Sequence, residues 1–130
     1  NMSINEAVEM VMWTLKNNQG GEIFVPKMSS YKILDLAKSI APNCKIKIIG
    51  IRPGEKIDEQ LITAAESNKT YDLGKYYAIL GTEDNRVNKY YSNKKFKAVK
   101  KNFSYSSGSN PKFLSINDLT KITKTFISNN

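Results

Sequence analysis

The densest chemistry in the chain lies at Gly50-Ile51-Arg52-Pro53-Gly54-Glu55-Lys56. Pro53 fixes one backbone angle and Gly54 admits a left-handed one, so these residues predict a tight, well-defined turn. Such a turn holds a guanidinium and a carboxylate in a fixed relation. A guanidinium clamps a pyrophosphate through two parallel hydrogen bonds. A carboxylate accepts both hydroxyl protons of a ribose diol. Arg52 and Glu55 together suit a nucleoside diphosphate. The alternative is a Pro-Gly turn in which Glu55 merely begins a helix, favoured by the positive end of its dipole. Spacing alone leaves both readings open.

A second segment, Phe24-Val25-Pro26-Lys27-Met28-Ser29-Ser30, also joins a strand to a helix. Lys27 either faces an anionic ligand or is a solvated surface lysine, and Ser29 or Ser30 reads as a helix cap. Tyr90 and Lys94 stand four apart, the spacing of the Tyr-Lys pair of short-chain dehydrogenases. Their segment is polar, shows no apolar helical face and follows no nucleotide-binding unit, so it reads as loop and the pair is set aside. Much chemistry is excluded outright. With no histidine and one cysteine, Cys44, the chain has no Cys/His zinc site, no His general base and no internal disulfide. Gly-x-Gly-x-x-Gly and the Walker phosphate loop are both absent, so no dinucleotide cofactor is expected on these residues.

The elements that position these residues follow from periodicity. Ser3 or Asn5 caps a helix to about Asn17, with Ala7, Val8, Val11, Met12 and Leu15 on one apolar face. Glu22 to Val25 is a strand stopped by Pro26. Tyr31 to Ile40 is a helix burying Ile33, Leu34, Leu36, Ala37 and Ile40, closed by Pro42. Ile46, Ile48, Ile49 and Ile51 predict a buried strand over 45–51. Glu55 to Thr63 predicts a short helix with Ile57, Leu61 and Ile62 inward. Strands are expected at 70–73 and 76–80 around Gly74, a polar loop over 82–95, and a short strand at 103–105. Ser106 to Pro111 reads as loop, and Ser115 with Asp118 forms a capping box for a last helix. The fold class is α/β (mixed α+β). One domain is expected over 1–130: an αβαβα core at 1–63, a loop-rich part with short strands at 64–114, and a final helix at 115–128.

Hydrophobic residues make up 40% of the 130 and charged residues 25%, which excludes wholesale disorder. Net charge is +8, and much of the excess sits between Lys89 and Lys112. That basic, aromatic stretch gives a nucleic-acid-binding module as the rival reading, in composition only. The longest apolar runs fall far short of the ~20 residues of a membrane span, so cytoplasm is the expected location and no membrane partner is expected. The chain opens on Asn1 with a helical pattern almost at once, as a cut piece would.

Gly21-Glu22-Ile23-Phe24-Val25-Pro26-Lys27, Ile33-Leu34-Asp35-Leu36-Ala37-Lys38, Ile40-Ala41-Pro42 and Gly50 to Lys56 together resemble the inverting UDP-N-acetylglucosamine 4,6-dehydratases. These are extended short-chain dehydrogenase/reductase enzymes of the pseudaminic acid pathway. Tyr105-Ser106-Ser107-Gly108-Ser109-Asn110 with Phe113-Leu114-Ser115 resembles the family's tail, and Met2 to Val8 its helix after the substrate loop. The likeness spans nearly the whole chain and is thinnest over 66–101. It implies the C-terminal substrate-binding subdomain of an NADP-dependent lyase, with the Rossmann half, the cofactor site and the catalytic Tyr/Lys pair all upstream. In that family hydride leaves sugar C4 for the cofactor, water is lost across C5 and C6, hydride returns to C6, and C5 is inverted. The resemblance places Arg52 and Glu55 at positions used for the UDP diphosphate and ribose, and Lys27 at a neighbouring one. The capsular 4,6-dehydratase/5-epimerase branch is similar here but usually lacks the proline of Arg52-Pro53-Gly54-Glu55. Without its other half the chain is expected to be inactive alone and to self-associate through exposed apolar faces.

Overall fold

The computed structural model describes residues 2–81, 85–94 and 96–128. The chain divides into two compact units, one of Met2–Met28 with Gln60–Ser106, the other of Ser29–Glu59 with the stretch from Ser107 onward.

The first unit begins with α1 (Ile4–Asn17). Ser3 Oγ accepts the Glu6 amide at 3.2 Å and Glu6 Oε2 accepts the Ser3 amide at 2.7 Å, a reciprocal cap of the expected kind. Strand β1 (Glu22–Pro26) follows. It lies at one edge of a four-stranded sheet with β3 (Thr70–Asp72), β4 (Tyr76–Leu80) and β5 (Lys97–Ala98), in the order β1-β4-β3-β5. Every pairing in this sheet is antiparallel, with Phe24 opposite Ala78 and Asp72 opposite Tyr77. Pro26 belongs to the strand, and an edge position tolerates its missing N–H. A two-stranded ribbon pairs β2 (Gln60–Ile62) with β6 (Tyr105–Ser106).

The pleat alternates side chains between two cores. Val25 and Ile79 pack with Ile62 and Tyr105, joined by Tyr77 and Phe103. Ala78 and Leu80 pack on the other side with Val87 and Tyr91, joined by Phe24, Tyr71, Tyr90 and Phe96. Trp13 of α1 meets Phe24 edge-on, with ring centroids 5.2 Å apart, and Tyr76 at 4.7 Å. The contact face of α1 is therefore built around Trp13. The expected face is exposed at Val8, Val11, Met12 and Leu15.

Two further expectations fail. Gln60–Ile62 is a strand, because its backbone pairs with β6: Ile62 is fully buried while Ile57, expected inward on a helix, is 81% exposed. The polar stretch expected as loop contains α3 (Asn85–Asn93), anchored by Val87 and Tyr91 one helical turn apart. Its flanks at 82–84 and 95 lie outside the described residues. Tyr91 donates from its hydroxyl to Glu22 Oε1 at 3.0 Å, and burial followed by this bond pushes that hydroxyl well above its ordinary pKa. Glu22 also accepts the Gln19 and Gly20 amides, closing the turn from α1 into β1.

In the second unit α2 (Ile33–Ile40) packs against α4 (Ile116–Ser128), where Leu119 is buried. Ser115 and Asp118 form the expected capping box, with the Ser115 amide donating to Asp118 Oδ2 at 3.0 Å. Of the expected α2 face, Leu36 and Ala37 are half-buried, whereas Ile33, Leu34 and Ile40 are exposed. The expected strand over 45–51 does not form; Ile48 is 81% exposed and its neighbours Ile46, Ile49 and Ile51 are exposed too. A strand needs a hydrogen-bonding neighbour, and none pairs with it among the described residues.

Candidate functional site

The turn expected at Arg52 forms. The Glu55 amide donates to the Arg52 carbonyl at 3.0 Å, and Gly54 has φ 86°. Proline at the second position and a left-handed glycine at the third are the type II pattern. Glu55 then folds back: its Oε2 accepts the Arg52 amide at 2.9 Å, and its Oε1 lies 3.9 Å from Arg52 Nε. No helix follows, so Glu55 is not a helix starter; it ties the turn shut.

Both side chains face solvent, 74% exposed for Arg52 and 51% for Glu55. Among the described residues no partner occupies the two terminal guanidinium nitrogens of Arg52. They are the edge that a diphosphate would take. A carboxylate has about four lone-pair sites, so Glu55 retains acceptor capacity beyond its bond to the Arg52 amide.

Lys27 belongs to the other unit and is already engaged there. Its Nζ donates to Asp72 Oδ1 at 2.6 Å and sits 4.5 Å from the Tyr77 ring centroid. Partial burial works against the Asp72 charge. The Lys27 hydrogen bond, the Gly74 amide and the charges of Lys27 and Lys97 outweigh it and hold the carboxyl below its ordinary value. Asp72 was not singled out in the sequence; it is 45 residues from Lys27, and no local pattern links the two. The structure thus brings Arg52 and Glu55 together and gives Lys27 a partner of its own.

The rival features are also resolved. Lys94 Nζ lies over the face of the Tyr90 ring, 4.9 Å from its centroid, in a packing contact. Lys89, Lys94, Lys97, Lys100 and Lys101 are exposed, but Tyr91 and Tyr105 are buried and Tyr90, Phe96 and Phe103 pack against the cores. The basic stretch therefore offers no row of exposed rings for bases to stack on. Among the described residues no group of three or more Cys, Asp or Glu could hold a metal ion, and no helix is long and apolar enough to cross a membrane.

A family model for polysaccharide biosynthesis protein matches residues 1–81. The chain belongs to that family. Within this polysaccharide biosynthesis family it is 41% identical, over 126 residues and 93% of its length, to the inverting UDP-N-acetylglucosamine 4,6-dehydratase of Campylobacter jejuni. It is 37% identical over 82 residues, 60% of its length, to the UDP-glucose 4-epimerase of Rickettsia canadensis. It spans 38% of the first of these relatives and 24% of the second. Among solved structures it is similar to Pen from Bacillus thuringiensis, with a TM-score of 0.72 and 28% identity, covering 97% of this chain and 38% of that one. The mixed α/β architecture of the family member described here is thus found again in a longer protein.

Proposed function

We propose that this chain is the UDP-sugar-binding portion of a UDP-N-acetylglucosamine 4,6-dehydratase that inverts C5, serving bacterial surface-glycan (pseudaminic acid) synthesis in the cytoplasm. The observation that carries the reading is 41% identity sustained over 93% of the chain. The turn supports it: a guanidinium with open terminal nitrogens sits three residues from a carboxylate, in backbone fixed by Pro53 and Gly54. In this reading Arg52 clamps the diphosphate and Glu55 accepts from the ribose hydroxyls. Lys27, within the second candidate segment, pins Asp72 of β3.

NADP is the cofactor of the reaction we propose, and the residues present do not fit it. The sequence has no Gly-x-Gly-x-x-Gly. Both described sheets are antiparallel throughout, without the parallel β-α-β unit that seats a pyrophosphate on a helix N-terminus. We assign cofactor binding and the chemical steps to the part of the relatives' length that this chain does not span. These residues bind and orient the nucleotide. We further propose self-association, because Ile4, Val8, Leu15 and Ile48 present apolar surface. A single monomeric mass by light scattering across a concentration series would count against it.

Saturation-transfer NMR with UDP-N-acetylglucosamine, UDP and uridine tests the binding reading. Signal from the two diphosphates and little from uridine is expected. Equal signal from uridine would remove the diphosphate clamp from the account.

A further inference from the structure

The stretch after β6 makes two sets of contacts within its unit. At its start, the Ser107 amide donates to the Glu59 carbonyl at 2.8 Å, and Ser107 Oγ accepts the Glu59 amide at 2.9 Å. Both backbone groups of Glu59 are thereby held by one residue. Ser107 Oγ also lies 3.4 Å from Asp58 Oδ1. The Asp58 carboxylate rests on Gly108 so closely that a Cβ there would run into it. That carboxylate ends an exposed side chain, which a Cβ at 108 would push aside.

At the other end, Asn110 Nδ2 donates to Ser30 Oγ at 3.0 Å, and both residues are buried. The Ser30 amide donates to the Lys112 carbonyl at 2.9 Å and the Leu114 amide to the Ser30 carbonyl at 2.8 Å, forming a parallel bridge between Ser30 and Phe113. Residues 107–114 are thus stitched to Glu59, four residues beyond Glu55, and to Ser30, just ahead of α2. Between those anchors, residues 42–58 are exposed and, among the described residues, take no place in a sheet. The turn carrying Arg52 and Glu55 sits in that span. Its internal hydrogen bonds fix its shape, and its nearest tether on the C-terminal side is Ser107.

We propose that Ser107 is a positioning residue for nucleotide binding: it braces Asp58 and Glu59, and so presents the Arg52 turn, without touching the ligand. This rests on the reading of Arg52 as the diphosphate clamp. The physical basis is pre-organisation, since a loop held in its binding shape loses less entropy on binding.

The test compares wild type, Ser107→Ala, Ser107→Thr, Gly108→Ala and Arg52→Ala by calorimetric titration with UDP, and by amide exchange. Ser107→Ala is expected to weaken UDP binding by about fivefold, the effect of one neutral hydrogen bond. Ser107→Thr, which keeps the hydroxyl, should bind like wild type, and so should Gly108→Ala, which leaves both Ser107 bonds to Glu59 in place. Exchange at the Arg52 and Glu55 amides should quicken in Ser107→Ala while the exchange of α4 stays unchanged, which separates positioning from general loss of structure. If Arg52→Ala loses binding but Ser107→Ala keeps full affinity, the positioning inference is overturned and the clamp stands. If wild type does not bind UDP, the clamp reading fails. The brace is then judged on exchange alone, and unchanged rates at Arg52 and Glu55 in Ser107→Ala overturn it too.

Discussion

Replacing Lys27 by methionine asks whether this residue serves the fold or the ligand. Methionine keeps most of the aliphatic stem and removes the charge. The ion pair with Asp72 spans 2.6 Å, with the two side chains 30% and 35% exposed. Pairs at this exposure are screened, so about 0.5–1 kcal/mol is the appropriate magnitude. The ammonium over Tyr77 adds about 0.5 kcal/mol. Lys27→Met should therefore cost about 1–1.5 kcal/mol, read from urea denaturation near neutral pH. A double-mutant cycle with Asp72→Asn should return a coupling of about 0.5–1 kcal/mol, because the two groups meet directly. The cost should also depend on pH. A carboxyl held below its ordinary value of 3.8 contributes fully above that value, and its contribution is lost as pH falls through the lower folded-state value. The stability gap between Lys27→Met and wild type should narrow in that acidic window. A Lys27→Met protein with unchanged stability but no affinity for UDP would refute this reasoning and make Lys27 a ligand contact.

Three other outcomes follow from the same geometry. Asn110→Ala removes the buried bond to Ser30 and the acceptor of the Lys112 amide, and should destabilise the chain by about 1–3 kcal/mol in urea denaturation. Stability should fall on acidification below the ordinary carboxyl values of 4.5 for Glu6 and Glu66 and 3.8 for Asp118, because hydrogen bonds from Ser3, Thr63 and Ser115 hold all three lower when folded; flat ellipticity from pH 5 to 3 would contradict those caps. Gly54→Ala places a side chain at φ 86°, which costs about 1 kcal/mol in the turn and should lower UDP affinity by about fivefold in calorimetry.

What the sequence revealed depended on how local the cause was. The caps at Ser3 and Ser115 were legible because each is a four-residue exchange of hydrogen bonds. Thr63 and Glu66 form the same box, and its Thr-x-x-Glu signal was available but unread. The turn at Arg52 was legible because Pro53 and Gly54 dictate it. The strand expected over 45–51 failed because Ile46, Ile48, Ile49 and Ile51 supply β propensity but not a partner strand. The helix expected at 55–63 failed because Ile57, Leu61 and Ile62 fit a helical spacing, whereas pairing with Tyr105–Ser106, more than 40 residues away, decides the backbone. In α3 the two buried residues Val87 and Tyr91 were enough to fix a helix that its polar composition hid. The pairing of Lys27 with Asp72 and the hold of Ser107 on Glu59 are long-range contacts of side chains and backbone, beyond the reach of any local pattern.

The central claim is that Arg52 clamps the diphosphate of a UDP-sugar. Its most direct test is calorimetric titration of UDP-N-acetylglucosamine into wild type and Arg52→Ala, each shown to be folded by circular dichroism. The account predicts measurable binding by wild type and a loss of about 1.5–3 kcal/mol in the variant, the contribution of a charge-assisted hydrogen bond. Equal affinities in the two proteins, or a folded wild type that takes up no nucleotide, would contradict it.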